Sequence, residues 1–379
     1  MMHGHRLSSS MTLGFLMRHL ISTWCYFTLL FSMSSATLYA ADGNCWVLAI
    51  AMNQEEGASE HWNQYADEFA LVFTEHAKPV FNKVQAKTVL GRKARQAEIV
   101  QAVRWLQSNA KEGDLVTFYI TAHGGTERKE GWGVDVMDGK TLWGRELKEQ
   151  AAQIPCPVVF VLDSCQSGGF AREFGKDIPL PPNCVAICSS RSRQSTTNVL
   201  NIALSEALWG MADSDKDQVV ELNEVVAYIE NRTRKIAPPG ETLKESEMPL
   251  IVVGANVPAD QKLVQVSGEL SAILHEGQWY LGRVNGEEDG KLKVHVMGCN
   301  DNPDYGFFVL DQAPRSRVFP IGGDAPRPVL VKNAEDDQMR PALWVGKEGK
   351  GRAIIRYVRG KRNEDEVVER SRIRLAFPD

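Results

Sequence analysis

The stretch VFVLDSCQSGGF, residues 159–170, decides the fold because it joins an apolar run to a sharp, glycine-rich turn. Residues 158–162 are apolar without alternation, which is typical of a strand buried on both faces of a parallel sheet. The run is short, rich in β-branched residues and bounded by prolines and glycines, so a strand fits better than a helix. Asp163 and Cys165 then fall at the carboxyl end of the strand, where open α/β sheets gather ligand-binding residues.

A second stretch, DLVTFYITAHGG at residues 114–125, repeats this pattern with a histidine. Because parallel strands end at the same edge of a sheet, we expect His123 and Cys165 to approach each other. A thiolate is a strong nucleophile, and an imidazole both activates it and protonates a leaving group. Gly124 and Gly125 leave room for a substrate backbone, and the N–H groups of Gly124 and Cys165 are candidate oxyanion donors. A space-filling thiol and a core histidine are the structural alternatives, but two such strand ends together favour catalysis.

Six apolar runs alternate with helical patterns between residues 43 and 256. This alternation predicts a three-layer α/β/α sandwich with a six-stranded, mostly parallel sheet. The strands are expected at 45–52, 84–90, 115–121, 158–162, 184–190 and 249–255. Apolar residues at helical spacing predict helices at 60–78, 94–110, 141–153, 202–212 and 221–235, and a short hairpin is expected within 126–140.

The motifs YITAHGG (119–125) and VFVLDSCQSGG resemble the His and Cys motifs of the caspase-like cysteine peptidases, most closely the metacaspase-type branch. The match is strong at the two motifs and only a match of pattern across the rest of residues 43–256. The resemblance implies the caspase-hemoglobinase fold, a protein or peptide substrate and no required cofactor. It also implies that Cys165 is the nucleophile, His123 the general acid or base, and Gly124 with Cys165 the oxyanion donors.

Two residue preferences at the cleavage site are compatible with the sequence. The resemblance favours a pocket for Arg or Lys, to which Asp163 is able to supply a carboxylate, although a loop cap is an alternative role for this residue. The stretch SSRSRQSTTN, 189–198, holds Ser190 and Arg193 as further candidate substrate-binding residues. If Arg193 faces the pocket, charge pairing favours an acidic substrate side chain instead.

The stretch DSDKDQVVELNE, 213–224, places carboxylates at positions 1, 3, 5, 9 and 12 of an EF-hand loop. These candidate calcium ligands are Asp213, Asp215, Asp217, Glu221 and Glu224. Gln218 stands where the tight turn of an EF-hand uses glycine, so a calcium site and an acidic turn between two helices both fit the pattern.

Residues 1–40 are predicted to be a signal peptide, with Arg18 and His19 before an apolar run and small residues towards Ala40. The run is shorter than the roughly 20 residues of a membrane span. We therefore expect an exported protein, periplasmic or secreted, without a stable span once the signal is removed. An uncleaved anchor is the alternative, because Leu38 fits a cleavage site poorly.

The net charge of -5, with both signs interspersed, argues against a nucleic-acid-binding protein. The chain beyond the signal holds five cysteines besides Cys165, without regular spacing. We expect buried thiols, with one bridge among Cys45, Cys156 and Cys184 as the alternative.

Residues 260–379 alternate polar and apolar positions around glycine-rich turns, which predicts antiparallel β-structure. The stretches at 277–298 and 342–360 have the same texture, so we expect an internal repeat and two small barrels. The segment 314–328, rich in proline, is expected to link them.

Two correspondences support the repeat. Trp279 is matched with Trp344, and residues 293–296 with 354–357. The pattern resembles Tudor-like modules, which implies that this region binds a protein partner through an aromatic cage. A purely structural β-appendage is the alternative.

The main rival to a peptidase is a catalytically inactive caspase-fold scaffold whose β-rich C-terminal region binds partners. A serine hydrolase is disfavoured because the sequence has no G-x-S-x-G elbow. A metal-dependent hydrolase is disfavoured because no two histidines beyond the signal stand at ligand spacing.

Overall fold

A computed structural model gives the architecture. It describes residues 43–52, 60–171, 178–191, 199–234, 249–296, 308–321, 326–333, 338–347, 349, 351–357 and 365–376. The predicted signal peptide and Arg193 lie outside the described residues. Among the helices within them, none is long and apolar enough to cross a membrane.

The centre of the protein is a six-stranded sheet with the strand order β10-β8-β7-β3-β1-β2. Its strands are β1 (Asn44–Ala51), β2 (Lys83–Leu90), β3 (Leu115–Ala122), β7 (Val158–Ser164), β8 (Cys184–Cys188) and β10 (Leu250–Val253). Five strands are parallel, and β10 pairs with β8 in the antiparallel direction. The expected mostly parallel sheet is confirmed, and β1, β3 and β7 are buried almost throughout, as their unbroken apolar runs predict.

Helices cover both faces of this sheet. They are α1 (Glu60–His76), α2 (Gln96–Asn109), α3 (Gly144–Ala151), α4 (Val199–Glu206) and α5 (Leu222–Thr233). The apolar faces of α1, α4 and α5 share one hydrophobic core, whereas α2 and α3 share the core on the opposite face. These layers position the carboxyl ends of the parallel strands at one edge.

A small antiparallel sheet follows β3 directly, where only a hairpin was expected. It consists of β4 (Gly124–Glu127), β5 (Gly131–Asp135) and β6 (Thr141–Trp143). Trp132, Val134 and Leu142 pack into the core shared with α2 and α3, because alternate residues of these strands are apolar.

The C-terminal region contains two five-stranded antiparallel sheets with the same arrangement. The first is formed by β12 (Glu269–His275), β13 (Gln278–Glu288), β14 (Lys291–Val296), β15 (Phe308–Pro314) and β16 (Val318–Pro320). The second is formed by β17 (Arg327–Lys332), β18 (Met339–Lys347), β19 (Arg352–Tyr357), β20 (Asp365–Glu369) and β21 (Ile373–Leu375). In each sheet the fifth strand pairs with the free edge of the first strand, after a single turn of 3-10 helix.

The registers decide which residues of this repeat correspond. Val296 and Tyr357 occupy the same position, so the matching of residues 293–296 with 354–357 is right. The matching of Trp279 with Trp344 is wrong, because Trp344 takes the position of Val284, one step before a bulge that both sheets contain.

The predicted linker 314–328 is also wrong over much of its length. Residues 315–320 form the 3-10 turn and β16, so they complete the first sheet instead of separating the two sheets. The edge strands β15 and β16 each end in a proline, and an edge strand tolerates this residue because its missing N–H removes no hydrogen bond to a neighbouring strand.

The first C-terminal sheet shares a core with the α/β layers. The short strand β11 (Lys262–Gln265) pairs with β9 (Val219–Glu221) in front of α5, and one continuous hydrophobic cluster includes Phe73, Val264 and Trp279. The indole N–H of Trp279 also donates to the carbonyl of Val329 in the second sheet at 3.1 Å.

Candidate active site

The candidate site lies where β3 and β7 end side by side. These parallel neighbours pair in register up to Ala122 and Ser164, their last residues. His123 and Cys165 are each the next residue, so their backbones start about 5 Å apart, the spacing of hydrogen-bonded strands. The two strand ends therefore lie at one edge of the sheet, as the sequence predicts.

Gly124 brings the histidine segment against the cysteine segment. A Cβ atom on Gly124 would lie 2.6 Å from the carbonyl oxygen of Cys165 and 2.7 Å from the Ser164 hydroxyl, which only glycine avoids. On the other side, the N–H of Asp135 donates to the carbonyl of His123 at 3.1 Å. Because bonded and non-bonded pairs alternate in an antiparallel ladder, the N–H of Gly124 is turned away from β5. This N–H thus lies along the edge of β4 that does not pair with β5.

The turn after Cys165 is sharp and held from several sides. Gln166 adopts a left-handed conformation, with φ at 59°, and a short 3-10 turn follows from Ser167 to Gly169. The indole N–H of the fully buried Trp132 points to the carbonyl of Cys165 at 3.4 Å. The left-handed residue reverses the chain directly after the thiol, which leaves Cys165 at the tip of the turn.

Four buried serines join this turn to the end of β8. The N–H of Ser164 donates to the Ser189 hydroxyl at 3.1 Å, and the Ser190 hydroxyl donates to the carbonyl of Ser164 at 3.3 Å. The N–H of Ser190 donates to the hydroxyl of Ser167 at 3.3 Å. Ser190, a candidate substrate-binding residue, has no exposed surface, and its hydroxyl faces into the protein.

Cys165 differs from the other cysteines that the structure describes. All five are free, and Cys165 alone is partly exposed. Burial raises the pKa of Cys156, Cys184 and Cys188 to about 12 in each case. Burial also raises the pKa of Cys45. The expectation of buried thiols is confirmed for these four residues, and among the described cysteines Cys165 is the one whose sulfur a substrate is able to reach.

Asp163 lies two residues before the thiol and is 5% exposed. Its carboxylate accepts a hydrogen bond from the side-chain amide of Asn201 on α4 at 2.5 Å, and the hydroxyl of Thr121 lies 3.5 Å away. Asn201 in turn accepts from the hydroxyl of Tyr119 at 2.7 Å. The structure therefore places this carboxylate on the α1 and α4 side of the sheet, within a polar chain that the sequence did not reveal.

Lys148 is a fully buried cation that sequence reasoning missed. Its ammonium donates to the carbonyls of Phe170 at 3.0 Å and Ile178 at 2.5 Å. Phe170 ends the turn that begins at Cys165, so the hydrogen bond from Lys148 stabilises that turn from the interior of the protein. A lysine on an amphipathic helix is normally solvated, so no local signal distinguishes this one.

The acidic loop before α5 adopts the backbone that its pattern predicts. Gln218 takes a positive φ of 72°, the conformation for which an EF-hand uses glycine. Asp213, Asp215 and Glu224 bring ligand atoms within 4.8 Å of one another. This is the group of residues that is able to hold a metal ion.

The two remaining acidic candidates of the loop serve other contacts. Asp217 accepts from the N–H of Val219 at 2.7 Å, and Glu221 forms a capping box with Glu224 at the start of α5. Burial raises the pKa of Asp213, and the neighbouring carboxylates raise it further. A bound cation would offset this repulsion between the carboxylates.

The comparisons with known proteins are sparse. No family model matches the sequence, and no curated protein matches it. Among solved structures, a protein of Geobacter sulfurreducens is a neighbour with a TM-score of 0.39 and 13% sequence identity, over 59% of this chain and 100% of the other. A neighbour this remote carries no argument about function.

Proposed function

We propose that the protein is a cysteine endopeptidase of the caspase-like, metacaspase type, acting through Cys165 and His123. The observation that carries this proposal is the pairing of Ala122 with Ser164. It puts an imidazole and a partly exposed thiol one residue beyond two neighbouring strand ends, as nucleophilic catalysis requires. The resemblance of the two motifs to this family supplies the reaction class.

In the proposed reaction, the thiolate of Cys165 attacks the scissile carbonyl, and the C–N bond breaks as His123 protonates the leaving amine. The oxyanion accepts hydrogen bonds from the N–H groups of Gly124 and Cys165. A thioester remains on the enzyme. His123 then takes a proton from water, whose attack on the thioester releases the acid and the free thiol.

For the substrate, we propose cleavage after Arg or Lys. Asp163 supports this preference, since it places a carboxylate two residues before the nucleophile. Arg193 would instead favour an acidic side chain. A positional-scanning peptide library separates the two, because an acidic preference would contradict the role given to Asp163.

The dyad is tested by substitution. Cys165→Ala and His123→Ala should each abolish peptide cleavage while circular dichroism and the unfolding midpoint stay close to those of the wild type. Cys188→Ala is the matched control, because that thiol is fully buried at the end of the neighbouring strand. Full activity in either dyad variant would end the assignment.

A scaffold without catalytic activity is the second candidate function. The C-terminal sheets favour it, because they share the core of the α/β layers and repeat one strand arrangement. Alkylation of the native protein with iodoacetamide, mapped by mass spectrometry, separates the two. Selective modification of Cys165 supports the peptidase, whereas a rate no faster than that of a free cysteine peptide supports the scaffold.

We also propose that the acidic loop binds calcium and that the protein is exported. The acidic loop would hold calcium as an added cofactor, since its carboxylate oxygens suit that cation, so cleavage is assayed with and without calcium. Export is proposed from the signal-like segment 1–40, and amino-terminal sequencing of the protein recovered from its host tests that cleavage site.

A further inference from the structure

Helix α1 lies along β3 and reaches the candidate catalytic histidine. The contact that fixes its position is the stacking of Phe69 on Tyr119, with ring centroids 5.1 Å apart and an interplanar angle of 24°. Both residues are almost completely buried. The stacked pair therefore fixes which residues of α1 lie beside which residues of β3.

Trp62 stands seven residues before Phe69, which is two helical turns, and so lies on the same face of α1. Seven helical residues rise about 10 Å, and the four residues from Tyr119 to His123 span about 13 Å of extended chain. Because α1 runs opposite to β3, Trp62 should lie beside His123. The structure shows this contact, with ring centroids 4.9 Å apart and an interplanar angle of 73°.

The imidazole of His123 is exposed and needs a partner to hold its plane towards the thiol. In Cys-His sites a third group usually orients the imidazole. Within the described part of the chain, no side chain is hydrogen-bonded to the ring of His123. The indole of Trp62 is the ring that contacts it, edge to face, in a geometry that aromatic pairs favour.

We propose that Trp62 is the positioning residue for His123, performing through this ring contact the role of the third group in this site. This inference rests on the proposed peptidase function. The indole restricts rotation of the imidazole about its side-chain bonds, and so holds the ring in the orientation from which it protonates the leaving amine. We therefore expect the loss of Trp62 to lower kcat and to change the pH profile, since the imidazole carries the proton in catalysis, and to leave substrate binding nearly unchanged.

The test compares Trp62→Ala with Trp105→Ala. Trp105 is a matched control, since it is also half-buried on a helix and makes a T-shaped contact, with Trp46, on the opposite face of the sheet. Trp62→Ala should lower kcat on a peptide substrate about 10-fold or more and shift the pH profile of kcat/KM, with KM changed less than about threefold. Trp62→Phe should restore most of kcat, and Trp105→Ala should keep it.

The inference would be overturned if Trp62→Ala kept kcat within twofold of the wild-type value, or if Trp105→Ala lowered kcat equally. It would also be overturned if Trp62→Ala changed KM and left kcat unchanged. The rate of Cys165 alkylation as a function of pH gives a second readout that needs no substrate. His123→Ala is measured alongside. If that variant is active, the peptidase function fails, whereas an inactive His123→Ala beside a fully active Trp62→Ala removes only the role of Trp62.

Discussion

His76 makes the junction between the α/β layers and the first C-terminal sheet sensitive to acid. It is the last residue of α1, is 3% exposed, and its ring lies 4.8 Å from that of Trp209 and 6.0 Å from that of His295. Its Nε2 atom is buried without a hydrogen-bond partner among the described residues. Burial, together with the nearby charges of His295 and Arg283, lowers the pKa of His76 to about 4.

The folded and unfolded forms of the protein protonate His76 at different pH values. Unfolded His76 takes up a proton near its ordinary pKa of 6.5, whereas the folded protein resists this until about pH 4. The stability that neutral His76 contributes is therefore complete above pH 6.5 and is lost as the pH falls towards 4. At about 1.4 kcal/mol for each pH unit between the two pKa values, the loss is about 3 kcal/mol.

Glu68, on the same helix, acts in the opposite direction. It is 8% exposed, burial raises its pKa to about 7, and the hydroxyl of Ser205 donates to it at 2.5 Å. The folded protein holds this proton between pH 4.5 and 7 while the unfolded chain releases it, so stability falls by about 3 kcal/mol as the pH rises through that window. The two effects cancel in the wild type, and the test must use variants.

The assay is urea unfolding at pH 4.5 and 7.5. The stability difference between wild type and His76→Gln should increase by about 3 kcal/mol from pH 4.5 to 7.5, and that between wild type and Glu68→Gln should decrease by a similar amount. His275→Gln, at a partly exposed site, is measured in parallel as the control for replacing a histidine by glutamine. A His76→Gln stability that runs parallel to the wild type would refute the argument.

Three further substitutions test the site and the loop. Gly124→Ala should lower kcat about 100-fold in a peptide-cleavage assay, because its Cβ would meet the carbonyl of Cys165, whereas Gly286→Ala in the first C-terminal sheet, with nothing within 4 Å, should leave kcat within about twofold. Lys148→Ala should lower the free energy of unfolding by about 3 kcal/mol in urea, since it leaves a cavity and two buried carbonyls without their donor, and an unchanged midpoint would contradict this. Calcium should raise the thermal midpoint of the wild type but not that of Asp213→Asn, and an equal rise in both would remove the loop from calcium binding.

Local sequence patterns were enough to predict the strands of the central sheet and the edge at which the parallel strands end. Runs such as residues 158–162 are apolar on both faces, and the strand that they form is buried on both faces. Since parallel strands share one carboxyl edge, the neighbourhood of His123 and Cys165 follows from the same runs. Even the turn at Gln218 follows from its acidic pattern, although the residue itself is not glycine.

The C-terminal repeat shows where such patterns stop being sufficient. A bulge falls at the same place in β13 and β18, and counted from it Trp344 corresponds to Val284, so the similar sequences around Trp279 and Trp344 do not share a position. A pattern of alternating residues repeats every two positions, so two such strands can be aligned in several ways that fit the pattern equally well.

The sequence by itself determined the strands, the edge at which they end, and the two side chains placed one residue beyond it. Only the tertiary structure decided which distant residues support them, namely Trp62 beside the imidazole, Asn201 on the carboxylate of Asp163, and Lys148 beneath the turn. The physical reason is the distance along the chain over which each effect acts. Apolar periodicity reports on neighbouring residues, whereas these contacts join separate helices and strands and are selected by the close packing of the whole domain.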